Sequence, residues 1–156
     1  AAGFEASGPL DVELVETEVS EAMAREIYAA RLGRLRACDA VIANVSPWRG
    51  PGCDPGTAFE IGAAAALGKP VFAYLNVEDE GDADHRDRVD AIYGANLSDD
   101  GRWIDDLGCE IEDFGLPENL MLWAEARRLT VVVTPDPMGD LTGFELSLDT
   151  LGLYAD

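Results

Sequence analysis

The spacing of apolar and polar positions changes period several times along the chain, and each change marks an element. Over residues 18–37, Met23, Ile27, Ala30 and Leu35 recur at roughly helical spacing, with Glu21, Arg25 and Glu26 on the other side. A helix is predicted there. Residues 40–45 form a short apolar run with β-branched members, the pattern of a strand buried on both faces. A proline- and glycine-rich loop, residues 47–56, leads into residues 58–67, which are nearly all apolar or small and predict a helix packed tightly on a sheet. Gly68 and then Pro70 supply its stop. Residues 71–75 predict a second buried strand. A strand–loop–helix–strand unit of this kind joins parallel neighbours.

Further along, residues 78–90 are an acidic loop or lid that contains His85, the only histidine. A short helix is predicted over 89–93, ended by Gly94, and an exposed hairpin or loop around Gly101-Arg102-Trp103 in the polar stretch 97–113. Pro117 suits the first turn of a helix over 117–128. Residues 129–134 predict the last buried strand, stopped by Pro135-Asp136-Pro137, and 141–151 a closing amphipathic helix with Phe144, Leu148 and Leu151 on one side. Residues 3–11 form an edge-like segment running into the turn Gly8-Pro9-Leu10-Asp11. No repeat or low-complexity linker interrupts the order. The expectation is one domain over residues 1–156, α/β in class: an open, mainly parallel sheet flanked by helices in a doubly wound, flavodoxin-like architecture.

Composition narrows the functional classes. Hydrophobic residues make up 47% of the 156, enough for a core. No apolar run approaches the ~20 residues of a membrane span. The formal net charge of -20 repels phosphate backbones and anionic lipid, which argues against nucleic-acid polymers and membranes as partners. Lys69 is the only lysine. Cys38, Cys53 and Cys109 are odd in number and contain no C-x-x-C pair, so neither a disulfide framework nor a zinc site is expected, and the cytoplasm is the expected compartment.

The loop 47–56 and the helix start after it lie at the strands' carboxyl edge, where open α/β sheets bind ligands. Asp54 and Glu60 stand there. Thr57 and Glu60 have the spacing of a capping box, and Asp54-Pro55-Gly56 is good turn chemistry, so structural and catalytic roles are both open on local pattern. The loop lacks a Gly-Lys-Ser/Thr ending and no G-x-G-x-x-G run follows the strand, which sets aside nucleotide-phosphate and dinucleotide loops. The lone His85 removes Ser-His-Asp and Cys-His mechanisms and reads as a surface residue. Trp48 in the loop could stack on a base, or be an ordinary exposed aromatic. Arg31, four residues from both Ile27 and Leu35, either snorkels to water or points at the ligand edge, and the first account is favoured.

The run D-P-G-T-A-F-E-I-G, with N-V-S-P-W-R-G-P before it and A-L-G-K-P-V-F-A-Y after it, resembles the nucleoside 2-deoxyribosyltransferase family from about Gly3 to the C-terminus. The resemblance implies that Glu60 is the nucleophile attacking the sugar and that Asp54 positions the sugar or assists the departing base. Asn119-Leu120-Met121 resembles the segment by which family members lend an asparagine to the neighbouring subunit's pocket. This implies a homo-oligomer with shared active sites, and places Asn119, Met121, Gly56, Arg31 and Trp48 at the substrate. An arginine at position 31, where the family often carries Asp or Asn near the base, is a departure that bears on base preference. The family's first strand unit has no counterpart here, and residues 3–11 resemble its second strand; the expectation is that the sequence is incomplete at its start.

The implied reaction moves a 2-deoxyribosyl group between nucleobases through a covalent glycosyl-Glu60 intermediate in nucleoside salvage, with nucleosides and free bases as partners and no metal or organic cofactor. The alternatives are a deoxynucleoside or deoxynucleotide N-glycoside hydrolase using the same glutamate, and a non-catalytic nucleotide-binding module.

Overall fold

The computed structural model describes residues 3–8, 11 and 17–155. Helix α1 (Glu21–Ala37) starts where Ser20 caps it, its Oγ accepting from the Met23 N–H at 3.1 Å. Strand β1 (Val41–Asn44) follows, and helix α2 (Pro55–Ala66) opens with proline in its first turn. Asp54 is the cap of α2: its carboxylate accepts from the Thr57 N–H at 3.0 Å. The helix therefore begins at Pro55, ahead of the expected residue 58, and Thr57 lies inside the first turn. The capping box between Thr57 and Glu60 does not form, because Asp54 has taken that position. Gly68, at φ 71°, closes α2 in the left-handed conformation that glycine adopts without strain. The single lysine then proves structural, with Lys69 Nζ donating to the carbonyl of Cys38 at the end of α1.

Strand β2 (Val71–Val77) is the buried centre of the sheet. After it come a 3₁₀ turn (Glu80–Ala83), helix α3 (His85–Tyr93), the short antiparallel pair β3 (Asn96–Leu97) and β4 (Trp103–Ile104), helix α4 (Leu120–Glu125), strand β5 (Ala126–Val133) and helix α5 (Thr142–Ala155). The main sheet has the order β1-β2-β5 with both pairings parallel, Val41 beside Val71 and Val77 beside Val133. An open parallel sheet flanked by helices is the architecture expected from the sequence.

Side chains alternate across β2, and that alternation assigns the layers. Val71, Ala73, Leu75 and Val77 join Ile61 and Ala64 of α2 and Leu35 of α1 in one buried cluster. Phe72 and Tyr74 face α5 instead: Phe72 meets Tyr154 edge-on at 5.4 Å between ring centroids. A Cβ at Gly143 would lie 2.6 Å from Tyr74 Cδ2, so α5 approaches β2 as closely as glycine permits. Phe72, Ile61 and Leu75 are fully buried, each contributing about 1.5–3 kcal/mol of hydrophobic stabilisation.

Three expectations need correction. The helix predicted over 117–128 is confined to α4, because Ala126 and Arg128 pair with Val71 and Phe72 in the sheet. Sheet pairing there overrides the helical reading, and Arg127 and Arg128, both exposed, disguise the strand. The strands predicted over 40–45 and 129–134 are not buried throughout. Val41, Ile42 and residues 129–132 are half-buried and Asn44 and Val133 exposed, since β1 and β5 are the outer strands of the sheet among the described residues. His85 is not a surface residue: its side chain is 19% exposed, with Nδ1 3.4 Å from Glu118 Oε1. Of the strand-like segment 3–11, residues 3–8 form no strand, and Pro9 and Leu10 lie outside the described residues. The turn is nonetheless closed by the Asp11 N–H donating to the Gly8 carbonyl, which also accepts from Arg34 Nη1 at 2.6 Å.

Candidate active site

The three parallel strands point their carboxyl ends to one edge, and side chains pin that edge in place. Asn44 Oδ1 accepts from both the backbone N–H and the hydroxyl of Ser46. The same hydroxyl oxygen accepts from the Asn76 N–H at 2.9 Å, and Asn76 Nδ2 donates to the carbonyls of Pro137 and Asp140. The loop that leaves β1 and enters α2 is thus anchored at its origin to β2 and, through Asn76, to the segment after β5.

Beside this loop, α1 and α2 enclose a cavity of about 240 Å³. Arg31 and Glu60 face each other across it, with Gly56 on the same wall as Glu60 and Ile27, Tyr28 and Phe59 supplying apolar surface. Arg31 Nη1 stands 3.8 Å from Glu60 Oε1; the two side chains are 40% and 34% exposed. That separation is an ion pair too long for a hydrogen bond. Arg31 Nε is buried and has no hydrogen-bond partner among the described residues. The rings of Tyr28 and Phe59 lie 6.1 Å apart, tilted at 52°, an aromatic pair of the kind that can hold a flat ligand. Arg31 lines this cavity while its side chain still reaches solvent, because it sits on the stripe Ala24, Ile27, Tyr28, Arg31, Leu32, Leu35 that faces α2.

The other candidate residues divide. Asp54 stands at the start of α2, two turns of sequence below Glu60, with Oδ2 committed to the helix. Gly56 makes this possible: a Cβ there would come 2.8 Å from Asp54 Oδ2. Trp48 is 45% exposed and does not line the cavity; Arg49, at φ 54°, places its guanidinium 5.5 Å from the Trp48 ring centroid. Asn119 and Met121 are also absent from the cavity wall. Asn119 caps α4 by accepting from the Met121 N–H at 3.0 Å, while its Nδ2 donates to Glu112 Oε1 at 2.7 Å. Met121 is 70% exposed. The structure brings Arg31, Gly56 and Glu60 together within this chain, and Asn119 and Met121 do not join them in the cavity wall.

A second, buried cluster supports the loop from behind. Arg88 of α3, 4% exposed, donates to the carbonyls of Pro51, Asp82 and Pro117 at 2.7, 2.7 and 2.6 Å. Its Nη2 also lies 3.4 Å from Glu118 Oε2, a carboxylate 2% exposed. One guanidinium thereby ties the loop before Asp54 to the segment before Asn119. Burial lowers its pKa, with the charges of Glu118, Asp84 and Asp82 opposing that shift. Cys53, in the same loop, has its thiol pushed up to about 11 by burial and by the nearby charges of Glu118 and Asp54. Among the described residues no group of three or more His, Cys, Asp or Glu side chains could hold a metal ion, and no helix is long and apolar enough to cross a membrane.

Sequence reasoning missed Tyr28, Phe59 and the Arg88 cluster. The first two had a signal: Tyr28 lies three residues before Arg31, one helical turn along the same face, and Phe59 adjoins Glu60. Arg88 had none, since its partners are mostly backbone carbonyls distant in sequence.

A family model described as nucleoside 2-deoxyribosyltransferase matches residues 1–121, a span holding all seven candidate residues from Arg31 to Met121. A solved 2-desoxiribosyltransferase from Leishmania mexicana is 32% identical, with a TM-score of 0.52, over 81% of this chain and 68% of that one. Among curated proteins none matches.

Proposed function

We propose, from the premise that this chain belongs to the nucleoside 2-deoxyribosyltransferase family, that Glu60 is the nucleophile of a two-step transfer of 2-deoxyribose between nucleobases. The observation that carries this is the cavity in which Glu60, facing an arginine, is flanked by aromatic and aliphatic side chains. A Glu60 carboxylate oxygen attacks the anomeric carbon as the bond to the base nitrogen breaks, and that bond's electron pair leaves with the base. The resulting glycosyl ester is then attacked by a nitrogen of a second base, which restores the free carboxylate. Two displacements at one carbon keep the original configuration, and the oxocarbenium-like state of each is stabilised by the adjacent carboxylate.

Asp54 is assigned to sugar positioning in preference to proton delivery. One of its oxygens already accepts a backbone N–H, and the other is left to meet a sugar hydroxyl. Gly56, lacking a Cβ, leaves the room at the entrance to α2 into which that carboxylate folds back. Trp48, exposed in the loop after β1 and outside the cavity wall, is assigned to a bound base only through movement of that loop. Asn119 and Met121 complete the pocket of a neighbouring copy, which makes the enzyme a homo-oligomer. Support for this comes from α4 and its approach, where Phe114, Met121 and Trp123 are 65%, 70% and 45% exposed and form apolar surface that a second copy would cover. The partners are nucleosides and free bases, the role is nucleoside salvage, and residues 1–156 act as one domain. A cytoplasmic setting fits the three free cysteines.

Hydrolysis is the second reading, favoured by one observation: Glu60 is 34% exposed, so water reaches the site of the ester. Incubation with a deoxynucleoside, with and without a different free base, separates the readings by chromatography. A new nucleoside that appears only with added base identifies a transferase. Free base alone identifies a hydrolase, and no product identifies a binding module.

A further inference from the structure

We propose that His85 is a positioning residue for the transfer: the proton on its Nδ1 decides whether the ring bonds Arg88 or Glu118, and through them it sets the loop 47–56 and Asn119. His85 in this role rests on the nucleoside-transfer reading of the Glu60 cavity and adds to it a group outside that cavity that holds its loop. Nδ1 stands 3.4 Å from a donor, Arg88 Nη2, and 3.4 Å from an acceptor, Glu118 Oε1. One ring nitrogen cannot serve both. Without a proton it accepts from Arg88. With one it donates to Glu118 and turns a positive edge to the guanidinium. The side chains of His85, Arg88 and Glu118 are 19%, 4% and 2% exposed, so little water stands by to replace the partner given up.

Each of the two partners holds a part of the chain that the transfer needs. Arg88 Nε donates to the Pro51 carbonyl at 2.7 Å, and Nη2 to the Pro117 carbonyl at 2.6 Å. Glu118 Oε1 accepts from the Asn119 N–H at 2.9 Å. The loop also lies directly against the ring and the carboxylate: a Cβ at Gly52 would come 3.4 Å from Glu118 Oε1 and 3.8 Å from His85 Cε1. Asp54 follows Gly52 closely and caps the helix that carries Glu60. A change of partner at Nδ1 therefore reaches Asp54 through a short stretch of loop, and Asn119 through a single hydrogen bond.

The charged and titratable groups around the ring come from several elements. Asp84 caps α3 next to it, and Arg88 and Tyr93 belong to that helix. Glu118 precedes α4, and Asp105, Glu110 and Glu112 line with His85, Tyr93 and Asn119 a cavity of about 250 Å³. Glu112 is already engaged by Asn119 Nδ2 and the Leu120 N–H, and Glu110 by Arg102. With a neutral ring, the Arg88 guanidinium and the Glu118 carboxylate balance each other. A proton on Nδ1 puts a second cation 3.4 Å from the guanidinium, which drives Nη2 off the Pro117 carbonyl while Glu118 turns to the ring. The neutral ring is therefore the form that holds the loop and Asn119 in place, and histidine is the side chain that changes charge close to neutral pH.

The test compares two titrations. His85 is the only histidine, so a single ring-proton signal in NMR follows its protonation. Beside it, kcat/KM for a deoxynucleoside with an added acceptor base is measured from about pH 5 to 8 in the native protein and in His85→Asn. Native activity should fall toward acid by about 10-fold, inside the 100-fold that a 1 Å misplacement brings, with the midpoint of the ring signal. Asparagine places an amide where Nδ1 stands and has no proton to gain, so His85→Asn should keep the native high-pH rate throughout. A step that persists in His85→Asn, a midpoint that differs from that of the ring, or no step at all overturns the proposal. So does a rate lost at every pH in His85→Asn, the mark of a proton donor. If no nucleoside is turned over, the transfer reading fails separately, and the native protein alone decides the positioning. The Thr57 amide, which bonds Asp54, and the Asn119 side-chain amide should then shift with the midpoint of the ring. Signals that stay still while His85 titrates overturn it.

Discussion

Arg31 Nη1 and Glu60 Oε1 face each other at 3.8 Å across the cavity between α1 and α2. Both side chains are partly exposed, so the pair contributes little to stability and its interest is functional. Glu60 is also free of any capping duty, because Asp54 caps its helix. Glu60→Ala and Glu60→Gln should therefore each lower the transfer rate by roughly 10³-fold or more, as the loss of a nucleophile does elsewhere, while the thermal midpoint stays within a degree or two. Single-turnover assays and thermal melts on the same preparations check both halves. Full activity in Glu60→Ala would end the assignment.

Asp54 caps α2, and substitution can separate that role from the proposed sugar positioning. Asparagine caps a helix about as well as aspartate but has no charge, whereas alanine does neither. Asp54→Asn should hold its stability and lose activity by about 10- to 100-fold through weakened sugar positioning, a loss that a 1 Å misplacement suffices to cause. Asp54→Ala should lose the same activity and about 1 kcal/mol of stability as well. Urea titration of the two variants, set beside kcat/KM, distinguishes the duties. An Asp54→Asn protein with native activity would leave the side chain a cap and nothing more.

The central strand and the crossover around it were legible because burial on both faces writes a continuous apolar run, and residues 71–75 show it plainly. The family was legible through the motif around Glu60, while the local pattern left open a capping box that Asp54 forestalls. Where the sequence misled, tertiary context had the deciding vote. Arg127 and Arg128 carry two charges into β5, which an outer strand tolerates and a period-based reading takes for helix surface. Arg31 interrupts an apolar stripe, and only the position of α2 reveals that the stripe faces a cavity as well as a core.

The Arg88 cluster predicts a different signature from that of the nucleophile. Arg88 and Glu118 are 4% and 2% exposed, and removing one partner strands the other's charge away from water. Arg88→Met should cost about 3–5 kcal/mol, read from urea denaturation midpoints. Removing both charges, in Arg88→Met with Glu118→Gln, should cost less than the sum of the two single changes, because neither charge is then left alone. Additive losses would mean that the carbonyls of Pro51, Asp82 and Pro117 hold the guanidinium without help from Glu118.

Cys53 gives a prediction in pH. Its thiol titrates at about 11 in the fold, against 9.0 for an ordinary thiol, because burial and the charges of Glu118 and Asp54 disfavour the thiolate. Between those two values the unfolded chain has lost a proton that the native chain keeps, so stability should fall as pH rises through that window. Below 9.0 the group contributes no pH dependence. At neutral pH its thiolate fraction is roughly 100-fold below that of an unshifted thiol. Timed alkylation with mass mapping should then modify the exposed Cys109 first and Cys53 last. Early labelling of Cys53 would show that its loop opens readily.

Asn119 supplies the prediction that reaches beyond one chain. It caps α4 and bonds Glu112, and it takes no part in the wall around Glu60 of its own chain. If it completes a neighbour's pocket instead, Glu60→Ala and Asn119→Ala should each be nearly inactive alone, yet recover activity when mixed and allowed to exchange subunits. In a randomly reassorted dimer half of the molecules are mixed, and each mixed molecule has one pocket with both residues native and one with both altered, so about a quarter of native activity should return. The alanine at 119 also removes a helix cap worth about 1 kcal/mol, and Asn119→Asp, which retains capping, controls for that loss. Native mass spectrometry of the mixture establishes that exchange has occurred. Exchange without recovery would place Asn119 outside the pocket and leave its two hydrogen bonds as its whole purpose.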